Sequence, residues 1–178
     1  LDLARQSKPM AETEFETLRQ FAADELGLEA LEPWDVSFAS ERLRKARFDV
    51  SQEHLRPYFP MPTVLDGLFE TVRRLFGARI AARPDVATWH EHVGFYDVHD
   101  ETGERIGHFY LDAYARTGKR GGAWMDECVV RRRTDNGVQR PVAYLNCNFS
   151  PPVDGKPSLL THDEVLTLFH EFGHGLHH

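Results

Sequence analysis

The spacing of apolar residues predicts three helices within the first 77 residues. The segment AETEFETLRQFAADELG places apolar residues three or four positions apart and stops at Gly27, which favours a helix end there. DVSFASERLRKARF has a second, more charged amphipathic pattern, and SQEHLRPYFPMP indicates a short helical turn broken by prolines. The third and strongest pattern, TVLDGLFETVRRLFG, ends at Gly77. We therefore expect residues 1–77 to form a helical part.

The hydrophobic pattern changes to a period of two over residues 78–150. HVGFYDVHDETGERIGHFYLDAY alternates on both sides of residues 101–104, which predicts a β-hairpin. ECVVRRRTDNGVQRPVAYLNCNF repeats this arrangement around Asn136-Gly137, a strong hairpin signal. The glycine-rich segment YARTGKRGGAW between them lacks a phosphate-binding pattern and is interpreted as a connection. A small antiparallel sheet is expected.

A proline-rich linker and one capped helix follow the predicted sheet. Residues 151–160 have the composition of a linker, and Thr161 with Glu164 predicts a capping box that opens a helix over residues 161–178. Helices, a small sheet and a final helix indicate a mainly α protein with a small antiparallel sheet, that is, an α+β fold. Residues 1–178 are expected to form one domain.

Composition limits the possible partners. A net charge of −7 argues against a nucleic-acid surface, and no apolar run reaches the length of a membrane span. Cys128 and Cys147 occur in strand-like segments and are predicted to be buried, reduced thiols of a cytoplasmic protein, with a disulfide between them as the alternative. Because the sequence begins without Met, we expect it to start within a longer polypeptide.

The final predicted helix contains two histidines that could share a metal ion. His170 and His174 are four positions apart, so their rings lie on one face one turn apart. Zinc accepts imidazole nitrogen, and Glu171 could accept a proton from a water that the metal activates. The position of this motif in a capped helix favours the zinc interpretation. The alternatives are a structural zinc site without catalysis and a helix that binds no metal.

The other histidines do not complete this site. His177 would lie about 10 Å along the helix from His170, too far to share one zinc ion. A second metal site among the histidines of the first hairpin region is conceivable, although surface or core positions are the simpler interpretation: His90, His92, His99 and His108. His54 and His162 are interpreted as structural, and the run Arg131-Arg132-Arg133 as a solvated strand edge.

The sequence resembles the M3 family of zinc metallopeptidases, the thimet oligopeptidase group. THDEVLTLFHEFGHGLHH, preceded by RPVAYLNCNFSPPVDGKPSLL, carries most of the resemblance. Four further stretches look like the bacterial cytoplasmic members of the family: PWDVSFASERLRKARF, LRPYFP, VLDGLF and YLDAYARTGKRGGAWMDECV. The similarity covers nearly the whole chain from about Trp34.

The resemblance implies an incomplete zincin-type, thimet-oligopeptidase-like catalytic domain. It implies that His170 and His174 are zinc ligands, that Glu171 is the general base, and that the complete enzyme binds one Zn²⁺. The third ligand is then a glutamate beyond His178, in a missing remainder of the same polypeptide. The expected function is zinc-dependent endopeptidase activity on short oligopeptides, with a fragment that is inactive alone. A dipeptidyl carboxypeptidase of the same family is an alternative.

The strand VAYLNCNF is a candidate substrate-aligning edge in this interpretation. An extended peptide can bind such an edge by main-chain hydrogen bonds. Tyr144, Asn146 and Asn148 are therefore predicted to contact substrate. The alternative is that the strand lies in the interior of the small sheet.

Overall fold

A computed structural model describes residues 1–49, 51–135 and 137–178. The chain divides into two compact units, Leu1–His54 and Leu55–His178. The helices are α1 Asp2–Leu26, α2 Val36–Phe48, α3 Gln52–Leu55, α4 Met61–Phe76 and α5 His162–His177, with a 3₁₀ turn at Arg56–Tyr58. The strands are β1 Arg79–Ala82, β2 Val93–His99, β3 Arg105–Tyr114, β4 Trp124–Val129, β5 Arg132–Thr134, β6 Gly137–Gln139 and β7 Val142–Phe149.

The first unit is built around α1 and α2. Its buried centre consists of Leu18, Ala22 and Ala39, and the two alanines allow the helix backbones to approach closely. Helix α1 ends at Gly27, whose φ of 68° is left-handed, as the sequence predicts. It begins earlier than the apolar pattern indicated, because its mostly polar first turns, including Pro9, remain helical.

The second unit contains α4, the sheet and α5. Val64, Leu68 and Val72 form the buried stripe of α4 and belong to the same core as the strands. The helical part predicted over residues 1–77 is therefore divided, because the apolar face of α4 packs with the sheet. Among the described residues, no helix has the length and apolar character to cross a membrane.

The predicted α+β fold is confirmed, and the main sheet is mixed because one of its four strand pairings is parallel. Its strand order is β1-β2-β3-β7-β4, and β3 pairs with β7 in parallel while the other neighbours are antiparallel. The hairpin of β2 and β3 is confirmed. Strands β5 and β6 form a separate short pair around the second predicted turn, although Asn136 itself lies outside the described residues.

Helix α5 packs on one face of the sheet. Ala143, Leu145, Cys147 and Phe149 alternate along β7 and are all buried in the core, and Phe172 of α5 packs edge-on against Phe109 of β3. This aromatic contact has a centroid distance of 5.5 Å. The helix is thereby held at a fixed position above β3 and β7.

The capping box at the start of α5 is confirmed. The Glu164 backbone N–H donates to the Thr161 hydroxyl, and the Thr161 N–H donates to the Glu164 carboxylate, at 3.1 and 2.7 Å. The prediction for the cysteines is half wrong: both thiols are free and Cys147 is buried, but Cys128 is exposed on β4. Strand β4 is an edge strand, so its side chains have less cover than those of β7.

Candidate metal centre and its pocket

The side chains of His170 and His174 converge. Their Nε2 atoms lie 3.1 Å apart, and their ring centroids lie 4.7 Å apart with the planes nearly perpendicular. Two nitrogens bound to one zinc ion at about 2.0–2.1 Å with tetrahedral geometry would be about 3.3 Å apart. Both rings are exposed on the helix surface. The pair therefore fits a shared zinc ion with little adjustment.

Glu171 is buried between α5 and the sheet but is not sealed in apolar contacts. It is only 7% exposed, and within residues 1–49, 51–135 and 137–178 its carboxylate has no hydrogen-bond partner. Over the same residues, every fully enclosed side-chain nitrogen or oxygen atom of a non-exposed residue has a partner. The Glu171 oxygens therefore open into the adjoining pocket, where water or a ligand can reach them.

This pocket lies between the second half of α5 and the edge strand β4. Its volume is about 510 Å³. It is lined by four residues of α5 and its end, Glu171, His174, His177 and His178, and by Ala123, Trp124, Met125 and Glu127 from β4 and the residue before it. Glu171 and His174 thus face a space whose opposite wall is a strand edge.

The end of α5 is attached to β4. The His178 Nε2 lies 3.1 Å from the Val129 carbonyl oxygen, to which it can donate, and its other ring nitrogen lies 3.5 Å from the Glu127 carboxylate. The His178 side chain is 8% exposed. It therefore links the helix to the strand instead of reaching toward His170 and His174.

Within the described residues, no third side chain joins His170 and His174 as a candidate metal ligand. In residues 1–49, 51–135 and 137–178, no group of three or more His, Cys, Asp or Glu side chains is arranged to hold a metal ion. His90 and His92 contact each other with their rings tilted by 51° and their centroids 5.4 Å apart, and His162 packs beside Phe59. The conceivable second metal site is not formed there.

Strand β7 is an interior strand, so the prediction that it is a substrate-aligning edge is wrong. Both of its edges are paired, with β3 and with β4. Its alternating burial gives no indication of this, because an edge strand on a core would show the same pattern. Strand β4 is the sheet edge that borders the pocket.

Tyr144, Asn146 and Asn148 project from the face of β7 opposite to α5. The pKa of the Tyr144 hydroxyl is raised by a hydrogen bond with Cys128 and by burial. The Asn148 amide donates to the carbonyls of Arg120 and Gly122. That these three side chains contact substrate stays a prediction, and the structure gives two of them other partners.

Two buried carboxylates on this outer face were missed by sequence reasoning. Asp97 contacts Arg83, Arg105 and His108, and its pKa is lowered because these hydrogen bonds outweigh the opposing effect of burial. Asp112 on β3 likewise has a lowered pKa: burial raises it, but hydrogen bonds from Arg116, Lys119 and Trp89 prevail. The sequence did contain a signal for them. Asp97 and Asp112 each occur within the alternating pattern of a predicted strand, and each has basic residues nearby.

The converging histidine pair, the buried Glu171 and the edge strand β4 thus lie close together. In a comparison with known families, the model of peptidase family M3 matches residues 1–178. The chain belongs to this family, so the resemblance inferred from the sequence is confirmed.

Several relatives are similar over nearly the whole chain. Oligopeptidase A of Salmonella typhimurium is 54% identical over 178 residues, and that of Escherichia coli is 53% identical; each match covers 99% of this chain and 26% of the relative. Dipeptidyl carboxypeptidase of Escherichia coli is 41% identical over 171 residues, which cover 89% of this chain and 25% of the relative. The chain thus spans about a quarter of the length of these relatives.

Proposed function

We propose that the chain supplies the metal-binding helix and part of the substrate cleft of a zinc-dependent endopeptidase that hydrolyses short oligopeptides. The observation that carries this proposal is the convergence of His170 and His174 beside the carboxylate of Glu171, which has no hydrogen-bond partner in the part of the chain that the structure describes. The similarity to oligopeptidase A supports the peptide substrate class.

Each side chain has a role that follows from its position. His170 and His174 would hold the zinc ion, which, when bound, polarises a carbonyl and lowers the pKa of a coordinated water. The Glu171 carboxylate would accept the proton of the attacking water and then donate it to the leaving amine. Its burial shields this proton transfer from bulk solvent, while its opening into the pocket gives substrate access.

Strand β4 replaces β7 as the proposed substrate-aligning edge. Among the described strands none pairs with its outer edge, and residues 123–125 line the pocket with Glu171. An extended peptide can add to such an edge through main-chain hydrogen bonds, which suits substrates of varied sequence.

The proposed ligand set is completed outside the described residues. Two imidazoles leave a zinc site short of the three protein ligands typical of catalytic zinc. We propose that the third is a glutamate beyond His178, in the part of the relatives that this chain does not span.

Replacing the general base separates catalysis from metal binding. In the full-length protein that contains this chain, Glu171→Gln is expected to lower kcat for peptide hydrolysis by about 10²–10⁴-fold, while zinc content remains at one ion per chain. Glu101→Gln, in the exposed turn between β2 and β3, is the control and is expected to keep wild-type kcat. A Glu171→Gln protein with wild-type kcat would contradict the proposal and favour a structural zinc site.

A dipeptidyl carboxypeptidase is the second candidate, favoured by the 41% identity to that enzyme of Escherichia coli. The two activities differ in their need for a free C-terminus. Peptides with an amidated C-terminus and several residues on each side of the scissile bond should be cleaved internally under the present proposal. Release of C-terminal dipeptides alone, abolished by amidation, would identify the second candidate.

A further inference from the structure

The loop of residues 115–123, which joins β3 to β4, is fastened to the outer face of the sheet. We call it the connecting loop. The Arg116 guanidinium makes two hydrogen bonds to the Asp112 carboxylate, at 2.6 and 2.7 Å. The Lys119 ammonium lies 2.8 Å from the same carboxylate and within hydrogen-bonding distance of the backbone carbonyls of Asp112, Tyr114 and Cys147. The loop is thus connected to both β3 and β7.

The contact between Lys119 and Asp112 is nearly closed to solvent. Each side chain is 5% exposed. A buried ion pair is seldom required for stability, because apolar side chains of similar volume often serve as well. Apolar side chains could not, however, bind three backbone carbonyls on two strands. The hydrogen bonds of Lys119 therefore fix the position of the connecting loop in addition to stabilising this region.

A further side chain fastens the far end of the connecting loop. The Asn148 amide nitrogen of β7 donates to the Arg120 carbonyl at 2.8 Å and to the Gly122 carbonyl at 2.6 Å. Ala123 and Trp124 follow immediately, and they line the pocket that contains Glu171. The fastened segment therefore leads directly into the strand edge beside the candidate metal centre.

We infer that Lys119, held by Asp112, is a positioning residue that sets the place of the β4 edge and thereby the alignment of the bound peptide. This inference rests on the proposed function for its effect on substrate. Lys119 itself lies on the outer face of the sheet and does not line the pocket. Lys119 acts through the connecting loop, by means of the hydrogen bonds of its ammonium group.

The test uses Lys119→Met in the full-length protein, with Lys156→Met as the matched control. The substitution keeps a long apolar stem and removes the four hydrogen-bond contacts of the ammonium. Lys156 is an exposed lysine of the segment before α5. We expect Lys119→Met to raise KM for a peptide by about 10-fold with kcat within about threefold, because alignment on β4 contributes to binding before and during the reaction. Zinc content should stay unchanged.

Amide hydrogen exchange provides a readout independent of turnover. Peptides covering residues 115–127 should exchange faster in Lys119→Met than in the wild type or Lys156→Met, while those covering residues 93–99 should not change. If Lys119→Met does not fold, Lys119→Gln, which keeps a shorter polar side chain, takes its place and is expected to accelerate exchange over residues 115–127 and to raise KM.

A purely stabilising role gives a different result. Lys119→Met would then lower the melting temperature while leaving KM and the exchange of residues 115–127 at wild-type values below that temperature, and this would overturn the inference. If the wild-type protein hydrolyses no peptide, the proposed function fails. The exchange comparison would still decide whether Lys119 holds β4.

Discussion

Gly175 of α5 lies directly against Leu145 of β7. A Cβ atom at position 175 would be 2.8 Å from the Leu145 Cδ2 atom, closer than carbon atoms normally approach. Leu145 is 1% exposed and packed in the core, so it has little space into which to move. This contact sets how closely the helix that bears the histidine pair approaches the sheet.

Gly175→Ala is therefore expected to lower the free energy of unfolding by about 1–3 kcal/mol through overpacking. Gly173→Ala is the matched control on the same helix, because no described atom lies within 4 Å of the Cβ it would add. Alanine should favour the helix there by up to about 1 kcal/mol. Urea unfolding of the two variants measures both effects, and equal stability of the pair would contradict the close contact.

Loss of either converging imidazole should remove zinc. His170→Ala or His174→Ala is expected to weaken zinc binding by more than the roughly 100-fold seen when only a supporting residue of a metal ligand is lost. His177→Ala serves as the control, since His177 is exposed on the same helix and too far along the axis to share the ion. Metal content after dialysis against a weak chelator reports the result in full-length protein. Equal zinc loss in the control would disprove the assignment of the pair.

The two buried carboxylates on the outer face should make stability depend on pH. The pKa values of Asp97 and Asp112 are lowered in the folded state. Their contributions to the free energy of unfolding are therefore complete above the pKa of about 3.9 in the unfolded chain. They are lost as the pH falls through the lower pKa values of the folded state. The melting temperature should accordingly decrease steeply below about pH 4.

Asp97→Asn separates this effect from general acid denaturation. It removes the charge that Arg83, Arg105 and His108 contact, so we expect a loss of about 1.5–3 kcal/mol at pH 7 and a shallower decrease below pH 4. Asp66→Asn, at an exposed position of α4, should retain the wild-type profile. Identical profiles for all three proteins would show that Asp97 does not contribute.

The two cysteines should differ strongly in reactivity. Burial raises the pKa of the Cys147 thiol to about 12, and the negative charge of Glu171 adds to this effect. At pH 8 only about one part in 10⁴ would be the reactive thiolate. Iodoacetamide should therefore modify the exposed Cys128 in native protein and reach Cys147 only after unfolding. Peptide mapping by mass spectrometry distinguishes the sites, and early modification of Cys147 would contradict its burial.

The local features of the fold were predictable from the sequence, whereas the strand order was not. Helices α4 and α5 and the hairpin of β2 and β3 follow from periodicity, caps and turn residues that lie within a few positions of one another. The insertion of β7 between β3 and β4 joins segments about 30 residues apart, and alternation along β7 fits an interior strand as well as an edge. Its neighbours are selected by tertiary packing.

The same distinction applies to the candidate site. The convergence of His170 and His174 follows from helix geometry alone, so the sequence predicts it. Lys119 occurs in a glycine-rich segment that has the composition of a solvated connection. Its burial depends on Asp112 and on the carbonyl of Cys147, which lies 28 residues further along the chain. No local pattern contains that information.

The strand order has a consequence for biosynthesis. Within the main sheet, β4 pairs with β7 and no other strand of the described chain, and β7 is translated after it. On the ribosome, β1, β2 and β3 can pair as they emerge, but the nascent β4 must wait for residues 142–149. Lys119 must wait as well, because one of its acceptors belongs to Cys147. The wall opposite Glu171 is therefore completed only shortly before α5 itself leaves the exit tunnel.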